Sequence, residues 1–156
     1  MPRLKDSTPL SNAIAWVQSR MSRGVKCPCC DQYVKMYERK ITAPAARDLI
    51  KLYNITDEDE FHHIDEFKTD KAGDFAKLRY WGLIEERLNE DSSKRCSGWW
   101  RITQCGIEFV DLTITVPRKV RIYNSEFHGY VDNSDRVGIN DCLGTKFHYG
   151  DLMAGR

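Results

Sequence analysis

The sequence predicts an α+β fold, on three observations. Apolar residues recur at three- and four-residue spacing within residues 8–24, 42–55 and 71–81, the mark of helices with one buried face. Short runs containing Val, Ile, Tyr and Trp appear in the second half, where strands are expected. Gly, Pro and small polar clusters separate these segments. The chain has 156 residues, 41% hydrophobic and 11% aromatic, enough for one core with a small appendage. Four Trp, six Phe and seven Tyr argue against intrinsic disorder.

Thr8-Pro9 opens the first helix, a hydroxyl followed by proline at the first helical position. Leu10, Ile14, Val17 and Met21 should form its apolar face, and Gly24 should end it. Cys27-Pro28-Cys29-Cys30 reads as a tight turn, and Tyr33 to Ile41 as a strand or hairpin. Thr42 and Pro44 begin a second helix that buries Ala45, Ala46, Leu49, Ile50 and Tyr53. Asp57 to Glu60 is a solvated acidic turn, while Phe61-His62-His63-Ile64 fits either a short strand or a helical turn.

A third helix is expected from Lys71 to Trp81, with Phe75, Leu78 and Trp81 inward and Gly82 as its left-handed stop. Leu83-Ile84-Glu85 and Trp99-Trp100-Arg101-Ile102 read as strands, joined by the polar, mobile loop 89–98. Thr103 caps a further helix through Ile107, Phe109 and Val110. Past Pro117 a strand is expected from Lys119 to Tyr123, and then Gly turns alternate with short apolar pieces. The expected division is an N-terminal helix, Cys-turn and hairpin extension (1–41), a core (42–116), and a small β-rich C-terminal extension packed on it (117–156).

Helix, Gly82, strand, polar loop, strand and Thr-capped helix is the order of the back half of a winged helix-turn-helix. The stretch LRYWGLIEERLNEDSSKRCSGWWRITQCGIEFV resembles the MarR-like winged-helix pattern. The matching features are Leu78, Gly82-Leu83-Ile84, the basic loop tip Lys94-Arg95, and Ile102-Thr103-Gln104-Cys105-Gly106. That resemblance covers about 40 residues and stops there: the long dimerisation helices of such regulators are not readable. The whole chain resembles small phage and mobile-element proteins of unassigned activity. It shares with them the turn Cys27 to Cys30, Tyr80 to Ile84, Trp100 to Thr103, and Val116-Pro117-Arg118. The resemblance implies a winged-helix core and a phage or mobile-element setting.

The net charge of +1 favours no partner, but its distribution is polarised. Residues 1–41 carry a net +5, residues 42–70 a net −5, and residues 71–101 a net +2. No apolar run approaches the roughly 18 residues that span a bilayer, and MPRLKDSTPL lacks a signal core. The expectation is a cytoplasmic protein with no membrane partner, whose six cysteines are thiols or metal ligands.

Lys71, Lys77 and Arg79 on the helix before the loop, with Lys94 and Arg95 on the loop, would contact phosphates of double-stranded DNA. Against this stand Asp74, Glu85, Glu86, Glu90 and Asp91, which dilute the field and suit an ordinary solvated face. A homodimer would double the contacts of so neutral a chain. Tyr80 and Trp99 would instead serve a protein-docking role, as in an effector that blocks a host or defence protein. Of the adjacent Trp99 and Trp100, strand alternation should bury one and present the other.

Cys27 and Cys30 have the spacing of a structural zinc knuckle, completed by some of Cys29, His62, His63, Cys96, Cys105 and Cys142, or else are plain thiols. His62 and His63, adjacent on a strand, should point to opposite faces rather than act together. Phosphate-binding glycine loops, a nucleophile elbow and paired catalytic carboxylates do not appear, so a binding protein is expected rather than an enzyme.

Overall fold

The computed structural model describes residues 4–68 and 74–155, and Lys71 lies outside them. It is a mixed α+β chain with small antiparallel sheets, divided into two units. One is Met1–Arg39 with Arg121–Gly129; the other is Lys40–Val120 with Tyr130–Arg156. The hairpin 121–129, expected in a C-terminal extension, therefore belongs with the N-terminal unit. Residues 130–156 belong with the larger one.

In the first unit, α1 (Leu10–Gln18) buries only Ala13. Leu10 and Ile14, expected on a buried face, are 69% and 48% exposed. The helix also stops at Gln18, well before Gly24, and Thr8 makes no capping bond. Next come β1 (Val25–Lys26) and β2 (Tyr33–Val34), paired antiparallel with Val25 opposite Val34. The strand β3 (Tyr37–Lys40) follows.

The second unit is built on α2 (Ala43–Ile55), where Thr42 accepts a hydrogen bond from the Ala45 N–H and Pro44 occupies the first turn. Its buried face is Ala45, Ala46, Asp48, Leu49, Ile50 and Leu52, with Tyr53 at the margin. Tyr53 instead reaches Asp111 through its hydroxyl at 2.6 Å. The ambiguous histidine segment resolves into both options: β4 (His62–His63), then a 3-10 turn over Ile64–Glu66.

Phe75–Trp81 is a 3-10 helix, and this explains its apolar spacing. Phe75, Leu78 and Trp81 stand three apart, and side chains three apart eclipse on one face of a 3-10 helix. All three are buried, and Gly82 ends the helix at φ 71°. Then follow β5 (Ile84–Glu86), β6 (Trp99–Ile102) and α3 (Gln104–Val110). β6 lies between β4 and β5, antiparallel to both, with Trp100 opposite His62 and Glu86. Trp100 is fully buried, edge-on to Phe75 at 5.8 Å. Its Nε1 and the Nε2 of His62 are both buried without a hydrogen-bond partner among the described residues.

Pro117 falls between α3 and the strand expected past it. It lies within β7 (Val116–Pro117), and its carbonyl accepts the Trp81 indole N–H at 2.7 Å. β8 (Lys119–Tyr123) and β9 (Glu126–Tyr130) form a three-stranded sheet with β3, in the order β3-β8-β9. The C-terminal segment is less β-rich than expected. β10 (Arg136–Val137) pairs with β7, but α4 (Ile139–Leu143) and α5 (Tyr149–Met153) follow. These helices are too short to show periodicity and are started by caps: Gly138 N–H donates to Asp141, and Asp151 N–H to His148. Asn54 Nδ2 donates to the Leu152 carbonyl at 2.7 Å, and the Tyr149 hydroxyl to that of Val110, also at 2.7 Å.

Two substitutions test this packing. Leu78→Ala should cost about 2–5 kcal/mol in denaturant unfolding. Gly106→Ala should destabilise although alanine favours helices, because its Cβ would meet the Leu83 carbonyl oxygen at 2.1 Å. A cost on the order of 1–3 kcal/mol is expected from such overpacking. A stabilised Gly106→Ala variant would contradict the close approach.

Candidate functional site

Strand alternation and register assemble the outward face of the β4-β6-β5 sheet. Trp100 and Ile102 face the core, so Trp99 and Arg101 face outward. The register sets His63 beside Trp99 and Glu85 beside Arg101, and Arg87 N–H donates to the Trp99 carbonyl. Trp99 is consequently held between two groups: the His63 ring edge-on at 5.3 Å and the Arg87 guanidinium over its face at 5.7 Å. It remains 36% exposed. Gly98, at φ 77°, brings its backbone so near His63 that a Cβ would stand 3.1 Å from Nε2. Arg101 pairs with Glu85 and lies over Phe61 at 4.6 Å.

The expected phosphate-contacting residues separate into two groups. On the 3-10 helix, Lys77 pairs with Asp74 at 2.7 Å, and Arg79 with Glu86 at 3.7 Å. Arg79 also lies over the Tyr80 ring at 5.2 Å. Ion pairs this exposed contribute about 0–1 kcal/mol, yet each must be given up before its cation can hold a phosphate. Lys94 and Arg95 are exposed on the loop 87–98, and neither forms a carboxylate ion pair among the described residues. Arg87, at the base of this loop, has none either.

The loop is more ordered by its own groups than its polarity suggests. Asp91 turns its carboxylate back to accept the Ser93 N–H and hydroxyl, and those bonds hold its carboxyl below the usual carboxylate range. Asn89 Nδ2 donates to the Lys94 carbonyl at 2.9 Å. The Asp91 carboxylate is thus engaged locally, with Lys94 near enough to favour its charge, while Glu90, Lys94 and Arg95 are exposed. Arg87 and Arg101 were not among the residues expected from sequence, and His63 was named there only as a possible metal donor. Arg101 stands two residues from Trp99, which strand alternation alone could have placed on its face. Arg87 and His63 become neighbours of Trp99 only through strand register.

The cysteine turn is held at the tip of the β1–β2 ribbon. Cys27 N–H donates to the Gln32 carbonyl at 2.8 Å, and Asp31 N–H to the Cys27 carbonyl at 3.0 Å. Asp31 closes the turn at φ 60°. Backbone N–H groups of Cys29 and Cys30, followed by the Cys30 thiol, hold the Cys27 thiol below its ordinary value. The charge so favoured on Cys27 pushes the Cys29 thiol up. Among the described residues, no three His, Cys, Asp or Glu side chains already converge as a metal site. The other donors named from sequence, His62, His63, Cys96, Cys105 and Cys142, belong to the second unit. Burial pushes the Cys142 thiol up to about 12.

Because thiolates are the reactive species, limited alkylation near neutral pH should modify Cys27 early and Cys142 last. Tandem mass spectrometry of the peptides reads this order, and equal rates at the two sites would refute it.

No helix among the described residues is long and apolar enough to cross a membrane. No family model, curated protein or solved structure matches the chain.

Proposed function

We propose that residues 42–116 act as a winged-helix module that binds double-stranded DNA chiefly through its wing, the loop 87–98. The element order supports this reading: α2, β4, the 3-10 helix, then β5 and β6 with β6 central in the sheet. The observation that carries it is the placing of cations that form no carboxylate ion pair among the described residues. Arg87, Lys94 and Arg95 lie on or beside the wing, whereas Lys77 and Arg79 are already paired. A wing that grips phosphates positions a protein without specifying sequence. The helix before it would add base contacts only where DNA displaces Asp74 or Glu86. A regulatory role in a phage or mobile element is the setting that the sequence resemblance implies.

A second reading, docking of a host or defence protein, is favoured by Trp99. An exposed indole braced by an arginine and a histidine is the composition of a binding hot spot.

Gel-shift titrations across a salt series separate the two. Arg87→Ala/Lys94→Ala/Arg95→Ala should weaken duplex binding alike for all sequences and flatten the salt slope by roughly three units. Lys77→Ala and Arg79→Ala should change it less. Absence of any shift at micromolar protein, with circular dichroism intact, removes the DNA reading. A partner captured from nuclease-treated lysate and lost in Trp99→Ala would then support protein docking.

A further inference from the structure

The first unit, residues 1–39 with 121–129, holds eight Lys/Arg against four Asp/Glu, while the rest of the chain holds sixteen against nineteen. The near-neutral total thus divides into a basic small unit and an acidic larger one, and a polyanion is drawn to the basic one. Part of that excess is gathered in one groove of about 610 Å³, lined by the end of α1 and the turn after it, by residues 35–39 and by Arg121. Lys35, Arg39 and Arg121 supply its cations, and Glu38 is its one carboxylate among the described residues. Neither Lys35 nor Arg39 forms a carboxylate ion pair among those residues.

The strand on this groove is exposed along its whole length: none of the four residues of β3 is buried. A tyrosine on a strand ordinarily packs against its neighbours, yet Tyr37 is 43% exposed. It stands instead between the two cations. The Lys35 ammonium lies 5.8 Å from the ring centroid and the Arg39 guanidinium 4.8 Å. Tyr37 and Arg39, two apart on β3, share a face of the strand.

An open aromatic ring flanked by cations matches the repeating chemistry of a polynucleotide, a π-face on each base and a negative charge on each phosphate. In a duplex the bases cover one another's faces, so the ring finds a partner only where the strand is single. An acidic peptide would answer the cations and leave the ring unused. We propose that this groove binds single-stranded nucleic acid, with a base stacked on Tyr37 and the flanking phosphates on Lys35 and Arg39. Exposed cation–π contacts are weaker than base stacking, so a base displaces the cation from the ring face and leaves it free to meet a phosphate. The site lies wholly in the first unit and does not rest on the wing reading.

The test is a fluorescence-anisotropy titration of the full chain with labelled oligo(dT) of about 12 nucleotides, within the range of known single-strand sites. The same titration uses an abasic phosphodiester of equal length, which keeps the charge and lacks the bases. Micromolar or tighter binding of oligo(dT) is expected, with the abasic strand clearly weaker. Tyr37→Ala should weaken oligo(dT) binding by roughly 5- to 150-fold, the loss of one stacked base, and Tyr37→Phe should restore it. Lys35→Ala/Arg39→Ala should flatten the salt slope by about 1.4 units. All of these side chains are at the surface, and circular dichroism checks that each variant is folded. A matched oligo(U) arm assigns the sugar, and binding of either strand supports the site. Repeating the titration in the Arg87→Ala/Lys94→Ala/Arg95→Ala background removes the wing from the measurement. The proposal is overturned by no binding at micromolar protein, by equal binding of the abasic strand, or by indifference to Tyr37→Ala. It is overturned equally by displacement with polyglutamate as readily as with oligo(dT), or by loss of binding in the wing-variant background, which would put the strand on the wing.

Discussion

The packing of the larger unit depends on the contact between Gly106 and the carbonyl of Leu83. Any side chain at 106 would force these backbones apart, because a Cβ there would overlap that oxygen. The same short stretch is tied twice more. Thr103 N–H donates to the Leu83 carbonyl, and the Thr103 hydroxyl donates to the Gly82 carbonyl while accepting the Gly106 N–H. One threonine thus caps α3 and binds it to the exit of the 3-10 helix. Four elements meet at this knot: the 3-10 helix, β5, β6 and α3. It sets the register in which Ile84 faces Ile102, and through it the positions of Glu86, Arg87 and Trp99.

From that register follows the electrostatics of the outward face. Glu85 falls opposite Arg101, and Glu86 comes within reach of Arg79, so both cations are answered by the neighbouring strand. One residue further along, Arg87 has no such carboxylate among the described residues and rests on Trp99 instead. A one-residue slip would turn each of these side chains to the opposite face of the sheet. The near balance of charge over residues 71–101 therefore conceals a local asymmetry: among the described residues, Lys77 and Arg79 are in ion pairs, while Arg87, Lys94 and Arg95 toward the wing are not.

The candidate sites were legible in unequal degree. Alternation required one of Trp99 and Trp100 to be buried and the other presented, and set His62 and His63 on opposite faces; the structure buries Trp100. The spacing of Cys27 and Cys30 marked the turn, but not the two N–H groups that favour a thiolate at Cys27.

Local chemistry by itself determined the caps at Thr42 and Thr103, the left-handed exit at Gly82, the core positions Ala45, Ala46, Leu49 and Ile50 of α2, and the two strands around the polar loop. These depend on hydrogen bonds and backbone preferences within a few residues, which a sequence states directly. Only the tertiary structure decided that α1 would leave Leu10 and Ile14 uncovered, that the hairpin 121–129 would join the N-terminal unit, and that Ile139–Leu143 and Tyr149–Met153 would be helical. It also decided which cations find carboxylates. Periodicity identifies a face that can be buried, but whether anything covers it, and which charge stands opposite, depends on segments distant in the chain.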